Sequence, residues 1–158
     1  MSQKINDILT QACEGVATKA VKKPWYFWLA TADFLSAEKY LRRDDGSERY
    51  STEAPVVKFT TPYLGQDVDT LAKKLRDAPD EAFLNRVFFA VADERTMDDG
   101  SIMLCNADKA DEGVVDWLRA WPKRATLHFQ GFRAGAGSWG ELKDSWEFHK
   151  RVDGEDVA

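Results

Sequence analysis

The sequence predicts one α/β domain with a mixed sheet of about five strands and helices on both faces; an α+β arrangement is the alternative. The chain has 158 residues, of which 44% are hydrophobic, so it can bury a core of ordinary size. Apolar runs that fit buried strands alternate with segments whose apolar residues recur every three or four positions. No internal repeat or Pro/Gly-rich linker divides the chain. The predicted element order is α-β-α-β-α-β-β-α-β-α.

The first element is a helix over residues 3–21, because Ile5, Ile8 and Leu9 fall on one helix face and Pro24 ends the pattern. We therefore divide the chain into a helical extension packed on the domain, the α/β domain and an acidic tail. These three parts are residues 1–23, 24–151 and 152–158.

The middle of the chain alternates between strand and helix patterns. Apolar, β-branched or aromatic runs predict four strands, at residues 25–30, 55–61, 87–92 and 102–105. Helical spacing predicts two helices, at residues 34–41 and 67–77. The runs at 25–30 and 87–92 are apolar on both faces, which is typical of central strands. Only nine residues separate the last two strands, too few for a helical crossover, so we expect an antiparallel pair.

The last third of the chain predicts helix, strand and helix. We predict the first of these helices over residues 111–121, and Pro122 ends it. Residues 125–132 alternate apolar and polar side chains, which is typical of an edge strand. Ser138 and Glu141 have the spacing of a capping box, which opens a final helix that runs to about residue 150.

Composition excludes several classes of protein. The net charge is −5, and a basic patch of the kind that binds nucleic acid is not apparent. The longest apolar run is far shorter than the roughly 20 residues needed to span a bilayer, so we expect no membrane partner. Cys13 and Cys105 lack metal-ligand spacing, so we expect no zinc site and no cofactor. With no secretory signal, cytoplasmic localisation is the expectation.

Carboxylates that follow buried strands are the first candidates for chemistry. Asp93 and Glu94 come directly after the strand at 87–92, and Asp33 follows the strand at 25–30. If these strands are parallel neighbours, their acidic ends meet at one edge of the sheet, where carboxylate pKa values move apart and give an acid and a base. The alternative is structural: Asp33 caps a helix, Asp93 holds a turn and Glu94 is solvated.

Two further features are candidates for a site. His128 lies on the polar side of the predicted fifth strand and would serve as a general base if a helix covers that side. Residues 135–140 read Gly-Ala-Gly-Ser-Trp-Gly, a literal G-x-G-x-x-G, but no strand follows to complete a dinucleotide-binding unit. A glycine-rich helix start could instead hold a phosphate or carboxylate with help from Arg133.

Aromatic residues are abundant, with six tryptophans among 158 residues. Core packing explains them, and a ligand cleft or a protein interface is the alternative. The residues that we expect to bind a ligand are Trp28, Tyr63, Arg95, Thr96 and Arg133.

Two segments carry a resemblance to a known family. Residues 29–34 read LATADF and residues 89–97 read FAVADERTM. They resemble a family of small bacterial and fungal α/β domains of unknown function, with strand-TDF-helix and strand-AD-x-x-T-M segments. The resemblance spans about residues 24–146, and Ala32 departs from the family's pattern. It implies a single α/β domain and no catalytic residue, because the family carries no established activity.

The sequence therefore supports two functional hypotheses. The first is a binding or interaction module for a small apolar or aromatic molecule, or for a second copy of the chain. The second is a cofactor-independent lyase, isomerase or cyclase in which Asp33, Asp93 or Glu94 exchanges protons with His128 as partner.

Overall fold

The computed structural model describes residues 2–14, 30, 34, 52, 54–57, 60–80, 84–109 and 112–153. Within them the chain forms five helices and three strands. In chain order these are α1 (Ser2–Glu14), α2 (Val68–Arg76), β1 (Phe88–Val91), α3 (Glu94–Asp99), β2 (Ile102–Asn106), β3 (Asp116–Ala120), α4 (Pro122–Ala134) and α5 (Trp139–Asp153).

The three strands form an antiparallel sheet in the order β1-β2-β3. The prediction of a mixed five-stranded sheet is therefore wrong for the part of the chain that is described. The antiparallel pairing of the two strands at 87–92 and 102–105 is confirmed, with Ala90 opposite Leu104. However, β1 lies at an edge of this sheet rather than at its centre, because β2 is the strand with two partners. The sheet with its helices is an α+β arrangement.

The predicted helix at 111–121 and the predicted strand at 125–132 are both wrong. Residues 116–120 form β3, in which Leu118 and Ala120 are buried on one face. Residues 122–134 form α4, which begins at Pro122, where the missing N–H has no helical partner to lose. The spacing of Trp117 and Trp121 imitates a helix face, but pairing with β2 decides the conformation.

The predicted strand at 55–61 is wrong for its described residues, none of which is in a strand. The side chain of Asn6 takes the place of a strand partner for Val56. The Val56 N–H donates to Asn6 Oδ1 at 2.6 Å, and Asn6 Nδ2 donates to the Val56 carbonyl at 3.2 Å. This pair of hydrogen bonds fastens the segment to α1. The predicted elements at 25–30 and 34–41 lie outside the described residues, apart from Ala30 and Phe34.

One face of the sheet packs against α1, α4 and α5 to form the core. Leu104 and Leu118 lie directly opposite each other on β2 and β3, and both are fully buried. Burial of a leucine side chain stabilises a fold by about 1.5–3 kcal/mol. The remaining buried residues of the core are Ile5, Ile8, Leu9, Ile102, Ala120, Ala125, Leu142 and Trp146. Three of these come from α1, so α1 contributes to the same core as the sheet.

Local signals predicted α2 correctly. Asp67 is its N-cap and accepts a hydrogen bond from the Thr70 N–H at 2.8 Å. Leu71 and Leu75 are buried at the predicted spacing. Among the described residues, none of the helices has the length and apolar character that crossing a bilayer requires.

Candidate functional site

An open cavity of about 270 Å³ lies between α4 and α5. One wall comes from α4, the opposite wall from α5, and the turn between the helices closes one end. The described lining residues are Leu127, His128, Gly131, Phe132, Ala136, Gly137, Ser138, Glu141, Leu142 and Ser145. Apolar side chains with a few polar groups are the usual composition of a small-molecule site.

The turn that closes the cavity is made by a helix stop followed at once by a helix start. Gly135 caps α4 with φ at 70°, a left-handed conformation that glycine adopts without strain. Ser138 and Glu141 then form the predicted capping box. The Ser138 N–H donates to Glu141 Oε2 at 2.8 Å, and the Glu141 N–H donates to Ser138 Oγ at 3.2 Å. Residues 135–138 therefore join α4 to α5. The G-x-G-x-x-G segment follows a helix, whereas a dinucleotide fingerprint follows a strand.

His128 lies half-buried on the cavity wall, on a helix and not on the predicted strand. Its ring packs against that of Phe132, with centroids 6.5 Å apart and planes 23° apart. Burial, with the positive charge of Arg124 one turn earlier, holds the pKa of His128 below its ordinary value. The lowered pKa favours the neutral imidazole, in which one nitrogen donates a hydrogen bond and the other accepts one.

An aromatic cluster supports the cavity from the side of the sheet. Phe88 on β1 contacts Phe132 at 4.9 Å and Trp139 at 6.1 Å between ring centroids. Trp139 Nε1 donates to Asp116 Oδ2 at 3.0 Å, and Lys143 Nζ lies 2.6 Å from the same carboxylate oxygen. Asp116 thus ties α5 to β3, and this fixes the position of one cavity wall.

Asp93 belongs to a separate polar cluster at the end of β1. It caps α3 by a capping box, in which Asp93 Oδ1 accepts from the Thr96 N–H at 3.0 Å. Its Oδ2 accepts from the guanidinium of Arg119, which also donates to Ser101 Oγ at 3.2 Å. Burial alone raises the pKa of Asp93, but the Thr96 N–H and Arg119 outweigh it and hold this pKa below its usual value.

Both Asp93 oxygens are therefore engaged, and Thr96 is fully buried in the same capping box. The nearby thiol of Cys105 is also fully buried on β2. Burial, with the negative charge of Asp93, raises the pKa of Cys105 to about 12. The thiol stays protonated at neutral pH and packs as a small hydrophobe.

Two other candidates make internal contacts. Arg95 Nε donates to Asp99 Oδ2 at 2.8 Å across one turn of α3. The hydroxyl of Tyr63 accepts from the Phe34 N–H at 2.7 Å, and the two rings stack at 4.4 Å. Glu94 is exposed in the first turn of α3.

The sequence candidates that the structure describes do not all lie at the cavity. Of those that it describes, His128 lines the cavity, whereas Asp93 and Glu94 do not. Trp28 and Asp33 lie outside the described residues, and so does the side chain of Arg133. The meeting of Asp33 with Asp93 therefore stays a prediction.

Sequence reasoning missed Arg119 and Ser145. Arg119 alternates with Leu118 and Ala120 in β3, a period of two that a helix interpretation of residues 111–121 concealed. Ser145 carries no signal of its own, because its place in the cavity depends on how α5 packs against α4.

Nowhere in the described residues do three or more His, Cys, Asp or Glu side chains gather in a way that could hold a metal ion. No protein-family model, curated protein or solved structure matches the chain. The resemblance to small bacterial and fungal domains stays a prediction.

Proposed function

We propose that the chain binds a small, largely apolar or aromatic molecule with one hydrogen-bonding group, in the cavity between α4 and α5. The observation that carries the proposal is the half-buried His128 on the cavity wall, with its ring beside that of Phe132. An aromatic ring and leucine side chains would contact the apolar body of the ligand, and the imidazole would donate to or accept from its polar group.

The volume limits the size of the ligand. A cavity of about 270 Å³ is slightly smaller than the usual small-molecule sites, which span roughly 300–1,000 Å³. A ligand with a single ring and a short side chain fits a cavity of this size. For a molecule of this size we expect a Kd on the order of 1 mM.

The experiment is a titration of the ¹⁵N-labelled protein with 2-phenylethanol, followed by NMR chemical shifts. We expect saturable shifts at residues that line the cavity, such as His128 and Ser145. The variant Ser145→Phe places a ring in the cavity and should abolish these shifts. Asp144→Phe is the matched control, because Asp144 is an exposed neighbour on α5 that does not line the cavity.

Shifts that are unsaturable, or that persist in Ser145→Phe, would refute the proposal. The enzyme hypothesis and self-association stay predictions. His128 and Asp93 do not share the described cavity, which does not favour an acid–base pair between them. Sedimentation of the intact chain would test whether it associates with a second copy.

A further inference from the structure

The charge of the cavity narrows the class of ligand. Glu141 is the one described lining residue with a formal charge at neutral pH. The other polar groups of the lining are hydroxyls and the neutral imidazole of His128, whose pKa lies below its ordinary value. The carboxylate in the lining favours positive ligands over negative ones, whereas Arg124, whose positive charge acts on His128, lies outside the lining.

The position of Glu141 does not favour the anion that the sequence suggested for this helix start. The sequence suggested that residues 135–140 could hold a phosphate or carboxylate at the start of α5, with help from Arg133. In the structure, Glu141 Oε2 already accepts from the N–H and the hydroxyl of Ser138 at 2.8 and 3.1 Å. The helix start thus has its own anion, and a second anion there would meet a like charge.

The remaining carboxylate oxygen is available to a ligand. Within the described residues, Glu141 Oε1 receives no hydrogen bond, whereas Oε2 receives two. The rings of His128 and Phe132 stand on the opposite wall, on α4. Aromatic faces attract cations, so this wall and the carboxylate favour the same sign of charge.

We infer that the cavity selects a small organic cation, a primary amine on an aromatic or apolar body, with Glu141 as the partner of the ammonium group. This inference rests on the proposed function and adds the charge of the ligand to it. Glu141 acts here as a specificity-determining residue.

The experiment compares three probes of nearly the same size by NMR titration: 2-phenylethylamine, 2-phenylethanol and phenylacetate. At low salt we expect the amine to bind about fivefold more tightly than the alcohol, the upper range for an exposed ion pair. Phenylacetate should bind more weakly than the alcohol. Added salt should reduce the advantage of the amine, because ions screen an exposed charge.

The variant Glu141→Gln removes the negative charge and so measures its contribution to the affinity for the amine. Glutamine keeps the capping box, since Gln and Glu both serve at this position, so α5 should begin unchanged. We expect Glu141→Gln to bind the amine and the alcohol equally, with the affinity for the alcohol unchanged. Asp144→Asn is the matched control, because it removes an exposed carboxylate of α5 that lies outside the cavity lining.

The outcomes separate this inference from the proposed function. If the alcohol binds in the cavity but the amine binds no more tightly, or phenylacetate binds best, the inference is overturned and the proposed function stands. If no probe shifts the lining residues, both fail. The salt dependence of the unmodified chain tests the charge preference even if Glu141→Gln does not fold.

Discussion

The ion pair between Asp93 and Arg119 should dominate the stability of the sheet edge. Arg119 is nearly buried, with 6% of its side chain exposed, and its carboxylate partner Asp93 has 29% of its side chain exposed. Replacing Asp93 leaves a guanidinium in the protein without its counter-charge. We predict that Asp93→Asn and Asp93→Ala destabilise the fold by different amounts. The difference between them measures how much the helix cap at residue 93 contributes to stability.

The magnitudes follow from the geometry. Removing one partner of a buried pair costs about 3–5 kcal/mol, and the partial exposure of Asp93 reduces the expected cost below this range, to about 2–3 kcal/mol. Asparagine still caps a helix, whereas alanine loses about 1 kcal/mol more. We therefore expect a loss of about 2–3 kcal/mol for Asp93→Asn and about 3–4 kcal/mol for Asp93→Ala.

The assay is urea unfolding at pH 7 followed by tryptophan fluorescence, which yields the free energy of unfolding and the slope m. Arg119→Met, alone and with Asp93→Asn, completes a double-mutant cycle that measures the coupling between the two side chains. Asp98→Asn is the control, because Asp98 is an exposed carboxylate on the same short helix. It should change stability by less than about 0.5 kcal/mol.

A change below about 0.5 kcal/mol in Asp93→Asn, with no coupling to Arg119→Met, would refute the reasoning. Such a result would mean that water replaces the carboxylate at little cost. A loss in Asp93→Asn equal to that in Asp93→Ala would instead refute the contribution of the cap.

Two further predictions concern the core and the cavity. Leu104→Ala should cost about 2–5 kcal/mol in urea unfolding, because Leu104 is fully buried; Leu64→Ala, at a leucine that is 79% exposed, is the control and should cost less than about 0.5 kcal/mol. The pKa of His128 is lowered in the folded chain, so folding favours the neutral ring. The contribution of the neutral ring to the free energy of unfolding is complete above about pH 6.5 and is lost as the pH falls through the folded pKa. His128→Gln should flatten the pH dependence of stability below that pH, and an NMR-titrated pKa of His128 at or above 6.5 would contradict the assignment.

Local chemistry explains the elements that were predicted correctly. The start of α2 at Asp67 and the capping box of Ser138 and Glu141 need only side chains three residues apart. The antiparallel pairing of β1 and β2 follows from the short connection between them, because a crossover to a parallel strand requires a dozen or more residues.

Tertiary contacts determined the conformation of segments whose apolar pattern fits both a helix and a strand. Leu127 and Phe129 alternate with polar residues as in a strand, yet they lie on α4, which packs against α1. Trp117 and Leu118 lie in β3 because β2 offers an edge for pairing. Short amphipathic segments fit either period, so burial against a neighbour selects one of them.

Some features of the site likewise depend on local sequence, and others depend on tertiary packing. The amino-acid order alone predicted the helix start at Ser138 and supplied an ionisable ring at position 128, since both depend on residue type and close spacing. Only the packing of α4 against α5 decided that they border one cavity, and only the sheet brought Arg119 to Asp93, 26 residues away in sequence. Contacts between distant residues depend on how whole elements bury their apolar faces, which no local pattern specifies.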